Sequence, residues 1–147
     1  MEKTLAEIRR LMLATTKIDG AYYLFSRKLG IKENVLVLLY ALDDGKPHSQ
    51  KQICEDWLVP KTTINTNVKE LVRAGYVMLY PGTGTREKII GLTDAGKAYT
   101  EQIMRRVYEA EQAAMKRTLQ QFSPQFVDAI DFFADCLHDE FQQRLTE

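Results

Sequence analysis

Between Ser49 and Leu92 the apolar residues change their spacing, and that change limits the folds open to this chain. As far as Val72 they recur at three- and four-residue steps, the period of a helix with one buried face. Tyr76-Val77-Met78-Leu79-Tyr80 and Lys88-Ile89-Ile90-Gly91-Leu92 are instead short β-prone runs. Pro81-Gly82-Thr83-Gly84-Thr85 between them has the composition of a turn. Two short helices precede this hairpin. Ser49-Gln50-Lys51-Gln52 has capping-box spacing, in which the serine caps an orphan amide and the glutamine reaches back. It predicts a helix over about 49–57 with Ile53, Trp57 and Leu58 inward. Pro60 opens a second helix, about 60–74, because its missing amide costs nothing in a first turn, and Gly75 closes it.

Long helices flank this segment. Leu5, Ile8, Leu11, Met12, Ile18, Tyr22, Phe25 and Leu29 form one stripe over residues 3–28, ended by Gly30. The apolar run Val35–Leu42 predicts a buried helix over about 33–43, broken by Asp43-Asp44-Gly45-Lys46-Pro47. Thr93 caps a long helix reaching to about Gln121, and Ser123-Pro124 opens a last one. Phe126, Ile130, Phe133, Leu137, Phe141 and Leu145 stripe that last helix. The first and last helices carry more apolar surface than a small central domain can cover, so packing between two copies of the chain is expected. The reading is of one domain over 1–147, mainly α with a small β-hairpin wing. Within it, 31–92 forms a winged helix-turn-helix core, and 1–30 and 93–147 supply dimerisation helices.

In that arrangement the second helix of the pair enters the DNA major groove. Ile64, Val68, Leu71 and Val72 share one face and are assigned to the core. Thr62, Thr66, Lys69 and Arg73 lie opposite, flanked by Thr63 and Asn65. The face is short, hydroxylic and basic, whereas a plain solvent face is usually rich in Glu and Lys. Threonine hydroxyls can donate or accept at base edges, their methyls can pack on thymine, and Asn65 has the amide geometry for adenine. Lys61, Lys69 and Arg73 read as phosphate anchors, with Lys88 in the same basic stretch. Arg86, just past the hairpin tip, is placed to reach the adjacent minor groove. The formal charge of the chain is zero, but five basic and two acidic residues lie between Lys61 and Lys88, a net of +3. From Asp128 to Glu147 the net is −5, so a phosphate backbone is drawn to the middle and kept from the tail.

Other classes fit poorly. His48 and His138 have no nucleophile or carboxylate set by a recognisable motif, which argues against an enzyme. Asp135, His138 and Asp139 could share a helix face, but lone histidines among acids are mostly solvated, and neither a metal nor a cofactor is expected. Cys54 and Cys136 match no zinc spacing and read as small hydrophobes, Cys54 toward the core and Cys136 beside the Phe133/Leu137 stripe. No apolar run has membrane-spanning length and the first residues lack the build of a signal peptide, so a reduced, cytoplasmic protein is expected. Tyr22, Tyr23, Phe25 and Tyr40 fall where the first two helices meet; they are candidates for a ligand pocket, and ordinary packing explains them equally well. The rival function from another class is a winged helix that docks a protein partner without reading DNA sequence.

Five pieces of the chain, in register, resemble the multiple-antibiotic-resistance regulator (MarR) family. They are Leu38-x-Tyr40-Ala41-Leu42, Lys61-Thr62-Thr63-Ile64, Leu71-x-x-x-Gly75-Tyr76-Val77, Arg86, and Leu92-Thr93-x-x-Gly96. The resemblance implies a homodimer built from the first, fifth and sixth helices. It implies binding to a pseudo-palindromic double-stranded operator, usually as a repressor, and release by a small aromatic ligand or by oxidation. One position departs from the pattern. The family commonly carries an acid two residues before the wing arginine, and here that residue is Gly84, so Arg86 lacks its usual orienting partner.

Overall fold

A computed structural model describes residues 1–80 and 88–146. Its elements run α1 (Glu2–Leu29), α2 (Glu33–Leu42), β1 (His48–Ser49), α3 (Gln50–Trp57), α4 (Lys61–Arg73), β2 (Val77–Tyr80), β3 (Ile89–Leu92), α5 (Asp94–Leu119) and α6 (Gln125–Leu145). The chain divides into two compact units, Met1–Met104 and Arg105–Glu147, with the boundary inside α5.

In the first unit α2 is the central element. Val35, Leu36, Leu38, Leu39, Ala41 and Leu42 are all buried, as its unbroken apolar run requires. Ile53 of α3, Val59 ahead of α4, Ile64, Val68 and Leu71 of α4, Val77, Ile90 and Leu92 of the sheet, and Ile103 and Met104 of α5 join it in the core. The sheet has one strand more than the sequence suggested. Its order is β1-β3-β2, all antiparallel, with Val77 opposite Leu92 and His48 opposite Ile90. A two-residue strand is too short to show a period; β1 is tied in further by the Gln50 amide, which donates to the Lys88 carbonyl at 2.8 Å.

Two inward assignments in α3 are overturned. Trp57 is 44% exposed and Leu58 is 87% exposed, while Val59 is buried. Leu58 takes the left-handed conformation (φ 53°), which ends α3, turns the chain, and sends the following residue into the core. The cap of α3 is also only half of the expected box. Ser49 Oγ accepts from the Gln52 amide at 3.3 Å, but the Gln52 side chain donates forward to Asp56 at 2.7 Å. Pro60 occupies the cap of α4 rather than its first turn.

The end of α4 is fastened to the start of α5. Gly75 (φ 84°) closes α4 as a Schellman motif, with its amide donating to Val72 and that of Tyr76 to Leu71. Thr93 then grips the same loop. Its hydroxyl donates to the Gly75 carbonyl at 2.6 Å and its amide to the Tyr76 carbonyl at 3.1 Å. The same hydroxyl caps α5 by accepting from the Gly96 amide at 2.9 Å. Tyr76 and Tyr99 stack above this junction with ring centroids 4.1 Å apart.

α1 leaves half of its stripe on the surface, while Leu11, Tyr22, Phe25 and Leu29 are half-buried. Leu5, Ile8, Met12 and Ile18 are exposed, and Ser26 is its only buried residue. In the second unit no residue of α6 is buried. Phe126, Phe133 and Leu137 are half-buried, and Ile130, Phe141 and Leu145 are exposed. Cys136 is exposed too, so its reading as a packed small hydrophobe does not hold within this chain; it lies one step off the half-buried line of Phe133 and Leu137.

A methyl group on Gly96 would lie 1.8 Å from the Tyr76 carbonyl oxygen, a clash with backbone that no rotamer relieves. Gly96→Ala is therefore expected to destabilise the fold by about 3 kcal/mol or more, measured as a lowered urea midpoint with unchanged slope. An unaltered midpoint would mean that α5 is free to move off this loop.

Candidate nucleic-acid interface

α4 shows its two faces as the residue types demand, with one exchange. Ile64, Val68 and Leu71 are buried, but Val72 is 36% exposed and Asn67 takes its place in the interior. At about 100° per residue Asn67 and Val72 flank the arc of Ile64, Val68 and Leu71 at nearly equal angles, so helical spacing alone does not choose between them. Apolar character favoured Val72; the fold buries Asn67.

Thr62, Thr66, Lys69 and Arg73 all lie on the exposed side. Lys61 joins them at the first turn, and Thr63 is half-buried at the margin. Thr66 Oγ1 donates to the Thr62 carbonyl at 3.1 Å, so its proton is directed inward along the helix. What it offers outward is an acceptor and a methyl. Glu70, the one acid of α4, pairs with Lys32 ahead of α2 at 3.3 Å. An exposed pair of this kind contributes little stability, roughly 0–1 kcal/mol. Its electrostatic effect is to offset the one negative charge on a helix that otherwise presents cations. The α2 side also contributes a cleft of about 360 Å³, which Thr62, Thr63 and Thr66 share with Lys32 and Asn34.

Asn65 sits differently from the other candidates. It is half-buried, and its Oδ1 accepts from Nε2 of Gln50, the first residue of α3. Gln50 is 6% exposed and its own Oε1 is buried without a partner among the described residues. The pair thus joins the two helices of the helix-turn-helix, and a bidentate adenine contact by Asn65 would have to break it. Fifteen residues separate the two partners, and no local pattern marks Gln50 for this role.

Lys88 is exposed directly ahead of β3. Arg86 and the turn over 81–85 lie outside the described residues. Cys54 is half-buried rather than fully in the core; burial pushes its thiol up, against a smaller opposing pull from Lys61. That leaves less thiolate at neutral pH than a free cysteine has.

A cavity of about 420 Å³ lies on another side of the first unit, between α1, α2 and the end of α3. Of the four aromatic ligand candidates, Tyr22 and Tyr40 line it. Phe25 and Tyr23 do not; Tyr23 is exposed, with the Arg27 guanidinium 5.8 Å above its ring centre. Trp57, whose exposure was unexpected, closes one wall and meets Tyr40 edge-on at 5.5 Å.

Asn65→Ala would leave the Gln50 amide buried with neither end bonded, at a cost of about 1–3 kcal/mol. Thr66→Ala, on the open face, should change folding stability by no more than about 0.5 kcal/mol. Urea melts of the two variants side by side test this, and equal midpoints would remove the structural role assigned to Asn65.

Comparison with known proteins agrees with this architecture. Residues 29–84 match the model of the MarR family. No curated protein sequence is significantly similar to the chain. Among solved structures, NMB1585, a MarR family regulator from Neisseria meningitidis, is 21% identical with a TM-score of 0.75, over 96% of this chain and 97% of its own. Overoxidized AbfR bound to DNA is 15% identical with a TM-score of 0.65, covering 95% of this chain and 98% of its own. NadR in complex with 4-hydroxyphenylacetate is 16% identical with a TM-score of 0.69, covering 86% and 88%. At these identities the likeness establishes the fold. Residues 29–84 thus resemble the MarR family in sequence, and the chain as a whole carries the fold of MarR family regulators.

Proposed function

We propose that the protein is a homodimeric, sequence-specific DNA-binding regulator, a repressor of transcription whose hold on its operator is relieved by a small ligand. The observation that carries this reading is the outer face of α4: threonines and cations exposed on a rigid helix, with the single acid paired to Lys32. Each α4 would occupy a major groove, with half-sites about 34–36 Å apart on a two-fold symmetric site. The exposed apolar side chains of α1, and separately those of α6, support pairing with a second copy. The relatives add support of their own kind, since one is bound to DNA and another to an aromatic acid.

The roles divide by chemistry. Lys61, Lys69, Arg73 and Lys88 neutralise phosphates and so position the protein without choosing a sequence. Arg86 is assigned to the minor groove on its sequence position alone. Thr62, Thr63 and Thr66 meet the bases. Because the Thr66 proton is engaged at Thr62, its oxygen can only accept, which suits the exocyclic amino group of adenine or cytosine, while its methyl suits thymine.

Selection from a pool of random duplex DNA at near-physiological salt should enrich an inverted repeat with half-sites one turn apart. Failure to enrich any sequence, with binding absent at low salt as well, would overturn the reading and leave protein docking in its place. On the selected site Thr66→Ala should cost about 1–3 kcal/mol and relax one base position. Lys69→Ala should weaken specific and random DNA alike and lower the logarithmic salt slope by about one unit. A Thr66→Ala protein with unchanged affinity and base preference would show that the reading face is elsewhere on α4.

A further inference from the structure

The cavity between α1, α2 and the end of α3 has a character of its own. At about 420 Å³ it is in the size range of small-molecule sites. Three aromatic rings, Tyr22, Tyr40 and Trp57, contribute to its walls. Two carboxylates, Asp19 from α1 and Glu33 from the first turn of α2, line it as well, and among the described residues no lysine, arginine or histidine does. An aromatic acid placed here would bring its charge against two like charges with no cation to receive it. A ligand with a protonated amine meets the opposite situation. The carboxylates attract it, and the faces of tryptophan and tyrosine are the best side-chain surfaces for a cation.

We propose that this cavity is a binding site for a small aromatic ammonium ion, and that such a cation is the class of effector to which the protein responds. The inference rests on the regulator reading for its consequence but not for its chemistry. The consequence follows from Trp57 and Leu58, which line the cavity, the first ending α3 and the second opening the turn to α4. Leu58 holds the left-handed conformation on which the direction of α4 depends. A ligand against this turn contacts α1 and α2 on one side and the support of the reading helix on the other. Any preference it has for one position of the turn becomes, by linkage, a change in DNA affinity.

The protein carries a single tryptophan, so its fluorescence reports this wall alone. Tyramine and 4-hydroxyphenylacetate share a phenol ring and differ chiefly in the charge at the end of a short side chain. Titration of the full chain should show tyramine perturbing Trp57 emission with a Kd at least tenfold below that of 4-hydroxyphenylacetate. Asp19→Asn with Glu33→Gln should weaken tyramine at least tenfold and bring the two probes together. Glu33→Gln alone, which leaves α1 untouched, should move in the same direction by a smaller factor, so the inference stays testable if the double variant folds poorly. Equal binding of the two probes, a preference for the acid, no response to either, or indifference to both substitutions would overturn it. DNA affinity measured without probe tests the regulator reading separately, so either idea can fail without the other.

Discussion

Thr93 and Gly96 hold the loop after α4 from two directions, and the position of α4 depends on that grip. The Gly75 and Tyr76 carbonyls are exposed by the left-handed turn that ends α4, and Thr93 supplies a donor to each. One hydroxyl serves two helices, closing the C-terminal loop of one and capping the N-terminus of the next. The absence of a side chain on Gly96 lets α5 approach the Tyr76 carbonyl at backbone distance. Because Tyr76 leads into β2 and Thr93 follows β3, the grip also closes the base of the hairpin, opposite its turn. Strand register, helix end and helix start are thereby set by one cluster of backbone contacts, and α4 is held from its C-terminal end.

Its other end is set by the left-handed turn at Leu58 and by a polar pair. Leu58 accepts a conformation that costs a non-glycine residue about 1–2 kcal/mol, and the gain is that Val59 reaches the core while α4 starts in a new direction. Gln50 and Asn65 brace the same corner through a bond that leaves one buried carbonyl unanswered.

Much of this was legible in the residues, and the misses have physical causes. Periodicity and caps located every helix to within a residue or two, because apolar spacing and punctuation by glycine, proline and hydroxyl residues are local signals. The hairpin was legible for the same reason, but β1 was not, since two residues carry no period. The inward reading of Trp57 and Leu58 assumed that α3 continued its geometry to the last apolar residue, and the left-handed turn at Leu58 broke that assumption. On α4 the outer face was legible because burial of Ile64, Val68 and Leu71 determines what lies opposite. The Gln50–Asn65 bond and the Lys32–Glu70 pair were not, as each joins residues far apart in sequence through contacts that only the fold creates. The aromatic residues near the first two helices pointed to a pocket, yet only two of the four named line it, and its acidic character came from Asp19 and Glu33, unremarkable residues on helix surfaces until a cavity lies between them.

The chemistry left on the outer face of α4 also constrains how selective the proposed reading can be. With Asn65 engaged inward and the Thr66 proton used at Thr62, the uncharged side chains of the exposed arc offer single contacts, and a bidentate contact of the kind that discriminates most strongly between bases would have to come from Arg73, which the proposal assigns to phosphate. Single acceptors and methyls distinguish bases by smaller margins each. Specificity on such a face accumulates by adding many modest terms, and a two-fold symmetric site doubles every one of them. The cations of the same helix supply affinity that does not depend on sequence, which a protein of zero net charge can concentrate on one face because its acidic surplus lies in the final helix. On that proposal, affinity from phosphates and selectivity from repetition both call for two paired chains. The exposed apolar faces of α1 and α6 are where that requirement would be met.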